Sequence, residues 1–186
     1  MEALLWFGIG CCLVIFGVLL RRKYAEFHGQ TPQDYYDGFP AFVIKEHLKG
    51  KMICEGVIFG PLGRVTSSFV ADFNITWDGD TGKMAEEFRY NDGSTQSREW
   101  NIIMGEDGHF TATASDVPGT GRGIEAGSAV QMRYPIKLPD EIGGHLLKTV
   151  DWMYLTPNGT IVNRSQFRKF GFKVAELVAT IRPQEK

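Results

Sequence analysis

The sequence predicts an all-β fold, an antiparallel meander closing into a barrel of about eight to ten strands, preceded by one N-terminal transmembrane helix. Three observations carry this. After Gly50 the chain breaks into short strand-like runs separated by glycine-bearing turns, with no helical block between them. Within those runs apolar and polar residues alternate with a period of two. Ahead of them lies an uncharged apolar segment, Ala3 to Leu20.

As a helix, Ala3 to Leu20 spans roughly 27 Å, close to the thickness of a bilayer core. Met1-Glu2 lacks the positive n-region of a cleaved or lipoprotein signal, and no Ala-x-Ala-like site follows, so the segment reads as a retained anchor. Arg21, Arg22 and Lys23 come directly after it. The positive-inside rule puts that flank, and the domain behind it, in the cytoplasm, with the periplasm as the alternative. The division expected is an anchor with basic flank over 1–23, a juxtamembrane linker over 24–40 and a barrel domain over 41–186.

The linker is turn-rich, with Thr31-Pro32 and Asp37-Gly38. Ala41 to Lys49 followed by Gly50 fits a short helix ending at a glycine, and equally a first strand. The clearest alternation is Ser68 to Asp78, where Phe69, Ala71, Phe73, Ile75 and Trp77 share one face. Further strands are expected at Met52–Phe59, Lys83–Tyr90, Thr95–Met104, His109–Ser115, Gly121–Ala126, Val130–Leu138, Lys148–Leu155, Ile161–Phe170 and Val174–Ile181. Short hairpin links favour a barrel over a sandwich, because a meander of this length removes its exposed edges by closing on itself.

Asn158-Gly159 between two apolar runs is the strongest hairpin signal in the chain. Taken as a two-residue loop, it pairs Leu155 with Val162, Met153 with Arg164 and Asp151 with Gln166, and makes Asp151 and Arg164 diagonal neighbours. Two roles follow for Arg164. It forms a structural ion pair with Asp151 at a barrel end, or it offers donors to an anionic headgroup inside the barrel mouth.

Composition narrows the function. The chain has 186 residues, 43% hydrophobic and 23% charged, and a formal net charge of -2, which gives no global reason to bind nucleic acid. Of its three cysteines, Cys11 and Cys12 lie in the apolar run and only Cys54 in the domain, so no internal disulfide is expected. His28, His47, His109 and His145 show no metal-ligand spacing. Gly119-Thr120-Gly121-Arg122-Gly123 precedes no helical pattern, which rules out a dinucleotide fingerprint. Alternation puts Glu86 and Glu87 on opposite faces, so they form no acid-base pair, and pairing of the acids with Arg89 and Arg98 is the expected use. No nucleophile motif surrounds Cys54 or any serine. Neither a catalytic activity nor a cofactor is expected.

Aromatic lining with a few convergent polar groups is what a ligand-holding barrel uses. The candidate ligand-binding residues are Trp77, Trp100, Asp151, Trp152, Tyr154 and Arg164. The expected function is a membrane-anchored module binding a lipid or other small apolar ligand. The alternative is a non-catalytic accessory subunit of a larger membrane complex.

Several blocks also carry a family resemblance: Cys54-Glu55-Gly56-Val57-Ile58, Thr76-Trp77-Asp78-Gly79, Arg98-Glu99-Trp100, Asp151-Trp152-Met153-Tyr154-Leu155, Asn163-Arg164 and Lys169-Phe170-Gly171-Phe172-Lys173-Val174. With them the chain resembles, from about Phe39 to Arg182, a proteobacterial family catalogued as a domain of unknown function, number thirty-eight thirty-three. The resemblance implies a bacterial envelope protein, here at the inner membrane, with a lipocalin-like β-barrel and no established activity. Many relatives look like lipoproteins, whereas this chain has Gly8 where a lipobox needs an aliphatic residue.

Overall fold

The structure, a computed structural model, describes residues 1–140 and 143–184. Glu141, Ile142, Glu185 and Lys186 lie outside the described residues, as does the side chain of Arg22, one of the basic residues after the apolar run. The chain divides into two compact units, Met1–Asp34 and Tyr35–Lys186.

The first unit contains helix α1 (Glu2–Tyr24) and the short helix α2 (Glu26–Gly29). The stretch Glu2–Arg21 is long and apolar enough to cross a membrane, a test that a signal sequence near an N-terminus also passes. None of it is buried, in keeping with a helix that is apolar all round.

The second unit opens with an irregular strap, residues 35–43, and a single helical turn α3 (Ile44–His47), the helical of the two forms expected for Ala41–Lys49. Ten antiparallel strands follow: β1 (Gly50–Phe59), β2 (Val65–Asp78), β3 (Thr81–Tyr90), β4 (Thr95–Met104), β5 (His109–Thr113), β6 (Gly121–Ala126), β7 (Ala129–Lys137), β8 (Leu146–Leu155), β9 (Ile161–Lys169) and β10 (Phe172–Pro183). Each expected run falls on one of them. Every strand pairs with its sequence neighbours, and β1 pairs with β10, for example Val57 with Val178, so the barrel is closed and has no edge.

Alternation decides which side chains fill it. In β2, Phe69, Ala71, Phe73 and Ile75 are all buried on the inner face, and each large apolar side chain removed from water contributes about 1.5–3 kcal/mol. In a meander the turns after β1, β3, β5, β7 and β9 share one end, here the upper, and α3 lies across the other. Lys45 reaches Asp80 at 2.8 Å in the β2–β3 turn, and the Trp77 indole donates to the Leu48 carbonyl at 2.8 Å. The Ile44 amide donates to Glu125 at 2.6 Å, so the lower end is plugged by α3 with its first free N–H satisfied.

The β8–β9 hairpin corrects the expected register by one residue. Gly159 alone takes a left-handed φ of +82°, and its amide donates to the Thr156 carbonyl at 2.9 Å, while the Thr156 amide donates to the Thr160 carbonyl at 2.9 Å. The loop therefore has three residues, Pro157-Asn158-Gly159, rather than two. Leu155 pairs with Ile161, Trp152 with Arg164 and Asp151 with Ser165. Because side chains alternate, Asp151 and Arg164 lie on opposite faces of the wall, and the expected ion pair does not form.

Candidate functional site

Inside the barrel is a cavity of about 120 Å³, taken as the space open to the centre of a water molecule. Ile44 and Leu48 of the plug form part of its lining, with Phe69, Phe73, Phe88 and Phe110 among its apolar walls. Two of its lining side chains pack onto glycines: a Cβ at Gly123 would stand 2.1 Å from the Phe110 ring, and one at Gly121 2.5 Å from Met132. The glycine-rich motif at 119–123 thus makes room for large residues on neighbouring strands.

Polar groups from five strands converge on this space, and Asp116 backs one of them from a loop. From β8, Asp151 accepts through Oδ1 from the Asn163 amide and, at 2.7 Å, from the Ser165 hydroxyl, both on β9. Among the described residues, its Oδ2 has only the Tyr134 hydroxyl of β7, at 3.5 Å. The Tyr134 ring meets Trp100 edge to face at 5.1 Å, and the Arg98 guanidinium lies 5.7 Å from the Trp100 ring. Arg98 donates through Nε at 2.9 Å and Nη2 at 2.5 Å to Asp116 in the loop after β5, and its Nη1 stands 3.8 Å from Glu86 on β3.

Burial dominates the electrostatics. It pushes the Glu86 carboxyl up to about 7 despite the opposing pull of Arg98. Asp151 is raised for the same reason, against hydrogen bonds from Ser165, Asn163 and Tyr134. Tyr134 is raised well above the usual phenol range by burial and then by Asp151. Cys54 faces the same interior, and burial raises its thiol, which makes it a poor nucleophile. Among the described residues no group of His, Cys, Asp and Glu is arranged to hold a metal ion.

Of the sequence candidates, Trp100 and Asp151 line the cavity. Trp77 packs against the core at the plugged end but is outside the lining. Trp152, Tyr154 and Arg164 occupy the outer face of the wall. There Trp152 is fully buried beneath the strap, its ring 5.2 Å from Tyr35, and Tyr35 lies 5.4 Å from Tyr154. Arg164 pairs with Glu176 of β10 at 2.6 Å.

From the sequence, Glu86 is weighed as an acid-base candidate and then assigned with the other acids to surface or cross-strand pairing with Arg89 and Arg98. Arg98 does pair with the acids, but inside the barrel, and Arg89 pairs instead with Asp72 at 2.7 Å. A signal was available: Glu86 shares its strand phase with Met84 and Phe88, so alternation aims an acid at the core. Tyr134, Asn163 and Ser165 were not identified from the sequence.

Among curated proteins none matches the sequence. Solved structures resemble the fold. An S-type phycobiliprotein lyase from Guillardia theta superposes with a TM-score of 0.57 at 8% identity, covering 81% of this chain and 96% of its own. A protein of unknown function from the DUF3598 family of Nostoc punctiforme gives 0.52 at 12% identity, covering 78% of this chain and 50% of its own. These likenesses are of fold, a lipocalin-like barrel. The profile of a family described as "Protein of unknown function (DUF3833)" matches residues 24–183, and the chain belongs to that family.

Proposed function

We propose that the barrel is a binding module that holds a small, predominantly apolar molecule, a lipid or a compound of similar character, in its interior. The observation that carries this is the cavity itself: an apolar chamber inside a closed barrel, with a few polar groups converging on it. A filled scaffold has no use for a hollow lined by Glu86 and Asp151, since burying carboxyls costs free energy unless something compensates them. A barrel of this fold also occurs in a protein named as a phycobiliprotein lyase, which supports a small-molecule role. The apolar length of α1 supports a membrane tether, and the basic residues after it support a cytoplasmic placement of the barrel.

The test is purification of the full chain in mild detergent, followed by native mass spectrometry and solvent extraction. A bound molecule in near-stoichiometric amount, reduced when Ala112→Leu puts bulk into the cavity wall, is the expected result. A discrete larger assembly with an empty barrel would overturn the reading in favour of an accessory subunit.

A further inference from the structure

The carboxyl groups around the cavity outnumber the cations that answer them. Arg98 is committed to Asp116 through two nitrogens and stands beside Glu86 with a third. Asp151 has no cation within ion-pairing distance among the described residues and is held by neutral donors. Two oxygens are left facing the space with little or no hydrogen bonding. Among the described residues, Glu86 Oε2 has no hydrogen-bond partner, its nearest cation being Arg98 Nη1 at 3.8 Å, although the residue is only 5% exposed, and Asp151 Oδ2 is met by the Tyr134 hydroxyl at 3.5 Å. An orphaned acceptor this deeply buried calls for a donor, and a carboxylate in a low-dielectric chamber calls most strongly for a charged one.

We infer that the cavity takes an apolar molecule bearing a protonated nitrogen, whose N–H groups are received by Glu86 and Asp151 while its body lies against the phenylalanine and methionine walls. This rests on the binding reading above and names the ligand class for that same site. An anionic ligand is disfavoured by the same geometry, because Arg98 is already shared between two carboxylates and Asp151 repels a third negative group. A neutral alcohol supplies one donor and no charge.

The experiment compares three probes of nearly equal shape, 2-phenylethylammonium, 2-phenylethanol and 3-phenylpropionate. Each is titrated calorimetrically against the full chain in phosphatidylcholine nanodiscs, with empty discs subtracted. The ammonium is expected to bind about tenfold or more tighter than the alcohol, the increment of a charge-assisted hydrogen bond over a neutral one, with the carboxylate weakest. In protein carrying Glu86→Gln and Asp151→Asn the ammonium and the alcohol should converge. Equal binding of all three probes to the native protein, or an ammonium preference that survives the double substitution, overturns the inference while leaving the pocket intact. Tightest binding by 3-phenylpropionate, lost in Arg98→Met, overturns it in favour of an acidic ligand. If no probe binds and no molecule co-purifies with the protein, the binding reading itself fails.

Discussion

Arg98 Nη1 stands 3.8 Å from Glu86 Oε2 across the β3–β4 ladder, where the two residues are directly paired, and the guanidinium's other nitrogens are bonded to Asp116. One cation thus serves two acids that approach it from different parts of the barrel. Arg98→Met strands both, and truncating one partner of a buried pair costs about 3–5 kcal/mol. Chemical denaturation at pH 8 should show a loss of that order. Adding Glu86→Gln should restore part of it.

Glu86 makes stability depend on pH. Its carboxyl is raised to about 7 in the folded protein, so between the ordinary carboxylate range and pH 7 the folded state binds the extra proton. The stabilisation is present in full below the unfolded value and is lost as pH rises through the folded one. At about 1.4 kcal/mol per pH unit of displacement, the loss is on the order of 3 kcal/mol. Denaturation curves from pH 5 to pH 8 should fall for the native chain and fall less for Glu86→Gln, where the raised Asp151 still acts in the same direction. A native curve that rises over that window would contradict the assignment.

Trp152 is sealed under Tyr35 on the outside of the wall and has no exposed surface. Trp152→Ala should cost about 3–5 kcal/mol, as for other fully buried large aromatics. Tyr35→Ala removes only the cover. It should cost less, while making residues 35–43 more susceptible to limited proteolysis.

On the outer face, Arg164 is coupled to Glu176, not to Asp151. The Arg164 side chain is 43% exposed, so Arg164→Met should cost only about 1 kcal/mol or less. Lys173 remains within 2.6 Å of Glu176 to hold that carboxylate. Double-mutant cycles should give measurable coupling for Arg164 with Glu176 and none for Arg164 with Asp151. Coupling to Asp151 would contradict the observed register.

Membrane side is tested with reporters fused after Lys186. A cytoplasm-dependent reporter should be active and a periplasm-dependent one silent, and neutralising Arg21, Arg22 and Lys23 should weaken that preference. Robust activity of the periplasmic reporter would overturn the placement.

What the sequence determined by itself was the architecture. Period-two alternation, as in Phe69 to Ile75, and turns at glycines such as Gly159 are local properties, and with enough short antiparallel strands joined by tight links a closed barrel is the way to remove both edges. The apolar helix was equally plain, because a membrane-length run needs no partner to be recognised. Of the six candidate residues, Trp100 and Asp151 line the cavity, but alternation without the register could not separate Asp151 from Trp152 beside it on the opposite face. Tertiary structure decided the rest. One extra residue in the loop at Pro157-Asn158-Gly159 shifts the β8–β9 register, and since strand side chains alternate, that shift alone moves Arg164 away from Asp151 to the opposite face. Trp152 is buried on the outside only because residues far ahead of it in the chain fold back over the wall. The acidic cavity joins Glu86, Arg98, Tyr134 and Asp151, which closure of the barrel turns toward one space, with Asp116 bonded to Arg98 from the loop after β5; alternation aims a single residue such as Glu86 inward, but which residues meet there depends on non-local contacts.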